Sequence, residues 1–449
     1  MNDYGNQYSG SAGMPVKEIV VAIVLVIAII TGTVFSVGVD IAIGGNNKAA
    51  HASAESTTAA ADDDKSALAD DKSALTDDNE EEKPNNTDLS DLNLNSINDL
   101  TADNHKIKCR DNLNDYGKKI YDDLYQAVSR EKNFKFTDNQ PYSKERASLL
   151  GDIFNQMLSC FVLTDHPEIF WTQGGLESLA TPAGNSTQYD ISINYDCDKS
   201  KIKQYKKEIE SKVAEIIGQM PSTGKYEQAV WIHDYIVRNT VYNDDQAWAT
   251  GKEKDFGASI YALLIKNESN CNGYSKMYKY FMDIIGVPCT VIIGTCTNGE
   301  RHAWNIVEFG GEYYQLDATW DDPVGGEQKL HHNYFCITDE EMYKSRVADD
   351  YVSSPICNAN TYNYYVYNKL LFSDISDSAF EQALQFYKNN KLDQIEFKFS
   401  SAQATERAVA YAENGTALSK VLSENGYGNN LSYTYYAYDD TNVVEIGIK

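Results

Sequence analysis

The stretch that most constrains this chain runs from Cys271 to Asp322, where a helical period, an apolar strand and a tight hairpin follow in close succession. Tyr274, Met277, Tyr278, Phe281, Ile284 and Ile285 recur at three- and four-residue steps, which predicts a helix with one apolar face. Gly286 stands where a left-handed C-cap belongs, and Pro288 prevents continuation. Cys271 then falls in or just before the first turn, where unpaired N–H groups and the helix dipole favour a thiolate. Gly273 leaves room for close approach of another backbone or a substrate.

Residues 289–296 are β-branched and apolar, a strand pattern. Residues 302–309 and 312–320 are strand-like and flank Gly310-Gly311, a two-residue hairpin signal. Counting outward from that turn pairs Phe309 with Glu312, Trp304 with Asp317 and His302 with Thr319. His302 and Asp317 then share a face as diagonal neighbours, roughly 7–8 Å apart. A one-residue slip would put them on opposite faces. Cys271 at a helix start, with His302 and Asp317 on neighbouring strands, makes a candidate thiol-nucleophile triad. Taken singly, each of the three would pass for an ordinary buried or turn residue; their order on these elements gives the set its meaning.

At these residues the chain resembles the transglutaminase-like superfamily. The matching pieces are Cys271-Asn272-Gly273-Tyr274-Ser275, Gly286-Val287-Pro288, Gly294, His302-Ala303-Trp304-Asn305 and Leu316-Asp317-Ala318-Thr319-Trp320-Asp321-Asp322-Pro323. The likeness is best over 225–345 and is closest to the family's bacterial, membrane-anchored surface proteins. It implies an α+β fold with a papain-like core, a helix-start Cys and an antiparallel sheet. It also implies acyl transfer with Cys271, His302 and Asp317 as catalytic residues, and no cofactor. Asn270 departs from the family, where many relatives carry a small apolar residue before the Cys. Asn270, Gly273, Trp304 and Trp320 are the residues expected near the substrate cleft, although core packing explains the two tryptophans equally well.

The rest of the chain reads as flanking structure. Residues 1–18 form a short polar tail, and 19–43 contain an uncharged apolar run, Ile19 to Val39, long enough to cross a bilayer as a helix. A cleaved signal peptide is the rival reading, but the nearest A-x-A, Ala50-His51-Ala52, lies far downstream. The anchor reading places the protein in the cell membrane, single-pass, with its C-terminal bulk extracytoplasmic. Residues 44–107 read as an acidic disordered tether. From 51 to 107, fifteen Asp and Glu face four Lys, and no aromatic residue is present. DDKSALA at 63–69 is nearly repeated at 70–76, as low-complexity sequence. The formal net charge of −27 excludes a nucleic-acid partner.

Residues 108–220 read as an N-terminal α+β domain, 221–350 as the catalytic core and 351–449 as a C-terminal α+β tail domain. The phrase His166-Pro167-Glu168-Ile169-Phe170-Trp171 is expected to pack on the core or wall the cleft. A helix is expected over 226–242, with His233 as a hydrogen-bonded core residue rather than a second base, and another over 256–265. His331-His332 do not share a helix face and have no ligand at zinc spacing, so no metal is expected. Seven cysteines besides Cys271 make an odd number, so a complete disulfide framework is not implied.

Cys271 attacking a carboxamide or peptide carbonyl gives a thioester. An amine acceptor then makes a transglutaminase, and water makes a peptidase; the residues do not choose. Protein or peptide substrates at the cell surface or wall are the expected partners. The rival reading is a catalytically silent binding module of the same fold.

Overall fold

The computed structural model describes residues 94–102, 104–243, 255–322, 330–351, 353–392, 394–428 and 432–448, an α+β fold. The expected tail and anchor at 1–18 and 19–43 lie outside these residues, as does 44–93 of the expected tether. From Leu94 onward the tether reading is corrected. Leu94, Ile97 and Leu100 recur every third residue and are buried. Ser96 and Asp99 form a reciprocal capping box on the short 3-10 turn between them. Three apolar side chains on one face suffice to dock a short polar segment.

The N-terminal portion comprises α1 (Asp115–Ser129), β1 (Phe134–Asp138), α2 (Lys144–Met157), β2 (Leu176–Ala183), β3 (Ser186–Ile193) and α3 (Ile202–Gln219). Asn114 and Ser143 cap α1 and α2 by accepting from the N–H groups of Gly117 and Arg146. The strands form an antiparallel sheet in the order β1-β3-β2, and β3 buries every second residue. The run from Lys144 to Asp165 is long and apolar enough to cross a membrane by length and composition. Here its face of Leu150, Ile153, Phe154, Met157 and Leu158 is packed into the core.

The central portion comprises α4 (Lys225–Asn239), β4 (Val241–Tyr242), β5 (Glu268–Ser269), α5 (Cys271–Ile285), β6 (Cys289–Cys296), β7 (Arg301–Phe309), β8 (Glu312–Leu316), β9 (Phe335–Ile337) and β10 (Arg346–Ala348). The last five strands form one antiparallel sheet in the order β10-β6-β7-β8-β9. Gly286 ends α5 at φ +69°, as its sequence predicts. The Gly310-Gly311 turn sets Phe309 opposite Glu312, and the ladder runs as far as Asn305 opposite Leu316.

Two expectations change here. The strand expected over 312–320 ends at Leu316, because Asp317 Oδ1 accepts from the N–H groups of Thr319 and Trp320 and turns the chain. The ladder pairs Trp304–Asp317 and His302–Thr319 therefore do not form. The helix expected over 256–265 is a 3-10 turn, Asp255–Ala258, followed by a wide turn, Ala262–Lys266. Ser259 Oγ bonds to Phe256 O and competes with regular helical bonding there.

The C-terminal portion comprises β11 (Leu371–Phe372), α6 (Asp377–Asn390), β12 (Gln394–Phe399), α7 (Ala402–Asn414), α8 (Thr416–Glu424), β13 (Tyr433–Tyr438) and β14 (Val443–Ile448). Its sheet order is β11-β12-β14-β13. One cluster of buried apolar side chains contains residues from all three portions, from Leu94 to Ile446.

Candidate active site

Cys271 is the first residue of α5, and β5 leads the chain directly into it. Asn270 is the N-cap, and its side-chain oxygen accepts from Asn272 N–H at 3.2 Å. The helix is held against the sheet by Asn305 on β7, whose amide donates to Ser275 O at 3.0 Å and Thr290 O at 3.1 Å. That bridge sets the helix start beside the start of β7, where His302 stands.

His302 Nε2 lies 2.7 Å from Asp317 Oδ2, and the Cys271 thiol lines the same cavity as the imidazole. All three side chains are buried. Burial pulls the His302 pKa down, but the charge and hydrogen bond of Asp317, with Cys271 alongside, outweigh it and raise the value to about 9. Burial pushes Asp317 up, and His302 and Arg346 overcome this and hold it at about 2. Arg346, on β10 and fully buried, donates to the same Asp317 oxygen, Oδ2. Its guanidinium stacks 3.7 Å from the centre of the Trp320 ring.

A cavity of about 320 Å³ opens at the thiol, lined by Cys271, His302, Asn270, Asn272, Lys276, Ile293 and Arg301. Ser159, Cys160 and Gln173 from the N-terminal portion close its other side. Of the expected cleft residues, Asn270 lines it. Trp304 does not: it is fully buried in a cluster with Ile292, Ile306 and Tyr334, and its indole N–H donates to Gln315. Trp320 is over a third exposed but lies over Arg346, behind the His302–Asp317 pair. Gly273 also lies off the cavity. A Cβ there would sit 1.8 Å from Ser269 Oγ, so the close approach it permits is to Ser269, not to substrate.

Residues 212–318 match the family model of the transglutaminase-like superfamily. The chain carries a transglutaminase-like domain. Among curated proteins it is similar to kyphoscoliosis peptidase of Mus musculus, 24% identical over 190 residues, covering 38% of this chain and 27% of that protein. The Homo sapiens protein of the same name is 24% identical over 162 residues, covering 33% and 22% respectively. The chain thus spans about a quarter of the length of these relatives. Among solved structures, a crystal structure of a TGase aligns at 14% identity with a TM-score of 0.24, covering 44% of this chain and 54% of that one.

Behind its thiol site the transglutaminase-like domain holds a second buried network. His233 Nδ1 and Nε2 each lie 3.1 Å from a carboxylate, Asp234 and Asp321, and His332 Nε2 lies 2.9 Å from Asp234. Burial lowers the His233 pKa, but the two carboxylates outweigh it and raise the value to about 9. Asp321 also accepts from Tyr334 N–H, so the network ties α4 to the segment that follows Asp317. His331 faces away from it, toward Glu396 and Glu445. The trios His233-Asp234-His332 and His331-Glu396-Glu445 each bring ligand atoms within 4.8 Å of one another, close enough to hold a cation. His332 lies 98 residues from Asp234 and Glu396 lies 65 from His331, so local spacing gave no sign of either trio. In both, hydrogen bonds between members account for the arrangement.

Arg346, Gln173 and Lys276 are among the residues at this site that the sequence did not single out. Each is a lone polar residue without a motif around it. The signal that could have found Gln173 is its place two residues after the buried phrase ending at Trp171, which was expected to wall the cleft.

Proposed function

We propose that this protein is a thiol acyltransferase or hydrolase acting on amide or peptide bonds. In this reading Cys271 is the nucleophile, His302 its general base and acid, and Asp317 the group that orients the imidazole. The observation that carries the reading is His302, bonded through Nε2 to Asp317 and lining one cavity with Cys271. With its pKa raised to about 9, His302 holds the thiol's proton before attack, so the sulfur attacks the carbonyl as a thiolate and His302 gives that proton to the leaving amine. Asp317 stabilises the imidazolium. The thioester then passes to an amine or to water.

The apolar run at 19–43 and the acidic stretch after it support anchoring in the cell membrane with the bulk outside. In that arrangement, surface or wall polypeptides are the accessible substrates. The kyphoscoliosis peptidases, named as peptidases, favour hydrolysis as the first activity to assay.

The test is the rate of iodoacetamide modification at Cys271 in the full-length chain, read by peptide mass spectrometry from pH 4 to 9. An ordinary thiol titrates near about 8.5, whereas a His-paired one reacts well below that. Fast modification at acid pH, lost in His302→Ala, is the expected result. Slow modification with an ordinary profile in both proteins would sink the enzyme reading and leave a binding module.

A further inference from the structure

We propose that Gln173, from outside the family-matched stretch, is the side-chain donor to the oxyanion formed at Cys271, and that Lys276 positions it. The proposal rests on Cys271 being the nucleophile. Gln173 sits in the loop between Trp171, buried with Phe170 against Tyr205, Phe256 and Tyr261, and the start of β2. Its backbone N–H donates to Asp196 Oδ2 at 2.6 Å. The next residue, Gly174, has φ +111°, and a Cβ on it would lie 2.4 Å from Ser159 Cβ. The loop is therefore pressed onto the run that follows α2, at a conformation suited to glycine.

The orientation of the Gln173 amide is fixed by its partner. Lys276 Nζ, on α5 and buried, lies 2.7 Å from Gln173 Oε1. An ammonium can only donate, so the amide must turn its oxygen to Lys276 and its NH₂ away. That Nε2 is sealed from solvent without a hydrogen-bond partner, on a residue lining the same cavity as Cys271 and His302. A buried amide donor left unpaired destabilises the site, because it has lost water and gained no partner. An acceptor arriving with the substrate would remove that cost.

Cys271 Sγ bonds to the carbonyl carbon, and the C=O π pair moves onto oxygen. That oxygen accepts from Gln173 Nε2–H and from the Cys271 backbone N–H, which at the first position of α5 has no intrahelical partner. On collapse the C=O bond reforms, the C–N bond breaks, and the amine leaves with the proton held by His302. A thioester on Cys271 remains. The N-terminal portion thereby supplies part of the reacting centre.

Two reactions of the same thiol in the full-length chain test this. Alkylation by iodoacetamide displaces iodide and forms no oxyanion. Acetylation by p-nitrophenyl acetate passes through one. Both are followed at Cys271 by peptide mass spectrometry. Gln173→Ala is expected to keep the wild-type alkylation rate and pH profile while acetylation falls about 10²–10³-fold. Lys276→Met, which frees the amide to rotate, is expected to show a smaller selective loss; no loss would overturn the part given to Lys276. Unchanged acetylation in Gln173→Ala would overturn the proposal. So would a parallel fall in both reactions, which would make Gln173 a packing residue. A wild-type thiol that alkylates slowly with an ordinary profile would overturn the nucleophile reading, and this one with it.

Discussion

At the scale of single residues, Arg346 decides how Asp317 can stay charged while buried. A lone buried carboxylate is costly, and His302 offers it a single donor. Arg346 supplies a permanent positive charge at the same oxygen, and Trp320 and Tyr334 stack on the guanidinium at 3.7 and 5.0 Å. Arg346→Leu should destabilise the fold by about 3 kcal/mol, because it leaves an under-compensated buried charge. Arg346→Lys should recover little, since an ammonium is not planar and cannot stack in the same way. Urea unfolding of the three proteins checks both expectations. If Arg346 acts through Asp317, the alkylation profile of Cys271 should also shift in Arg346→Leu, and by less than in His302→Ala.

At the scale of elements, the site depends on β10 lying close beside β6. Gly294 on β6 makes this possible. A Cβ there would lie 2.1 Å from Val347 O on β10 and 2.7 Å from the Trp304 ring. Gly294→Ala must therefore push β10 or Trp304 away and should cost about 1–3 kcal/mol by overpacking. Because Arg346 is on β10, acyl transfer should fall as well. Gly218→Ala, in α3 with nothing within 4 Å of the added carbon, should be neutral or slightly stabilising. Thermal melts of the pair, with p-nitrophenyl acetate turnover beside them, separate the two outcomes. The Gly-Gly turn fixed the register as far as Leu316, and Asp317 then used its own side chain to bend the backbone. The carboxylate still reaches His302, by a turn instead of a ladder pair.

At the scale of the whole molecule, the buried histidines and carboxylates make stability depend on pH from both sides. His233 and His302 have pKa values raised from 6.5 to about 9, so their contribution is full below about 6.5 and is lost as pH rises through 9. Asp317 is lowered from 3.8 to about 2, so its contribution is present above 3.8 and is lost as pH falls through 2. His233→Gln should lose on the order of 2 kcal/mol at pH 6, and its difference from wild type should narrow toward pH 9.5. Denaturant unfolding at the two pH values measures this; an equal difference at both would argue that His233 is not a buried cation.

Much of the fold was legible in the sequence because the information was local. Period and a glycine cap gave α5, and a β-branched apolar run gave β6. The two-residue turn gave the hairpin register as far as Leu316. Sequence alone thus determined an α+β chain with a helix-start Cys beside a His- and Asp-bearing hairpin. Tertiary structure decided the rest, because the partners lie far apart along the chain. The polar side of α5 is also buried, with Lys276 meeting Gln173 across 103 residues. Arg346 reaches Asp317 across 29 residues, and His233 reaches Asp321 across 88. No periodicity encodes such pairings; each exists because burial leaves a charge or donor that must find a partner wherever packing brings one.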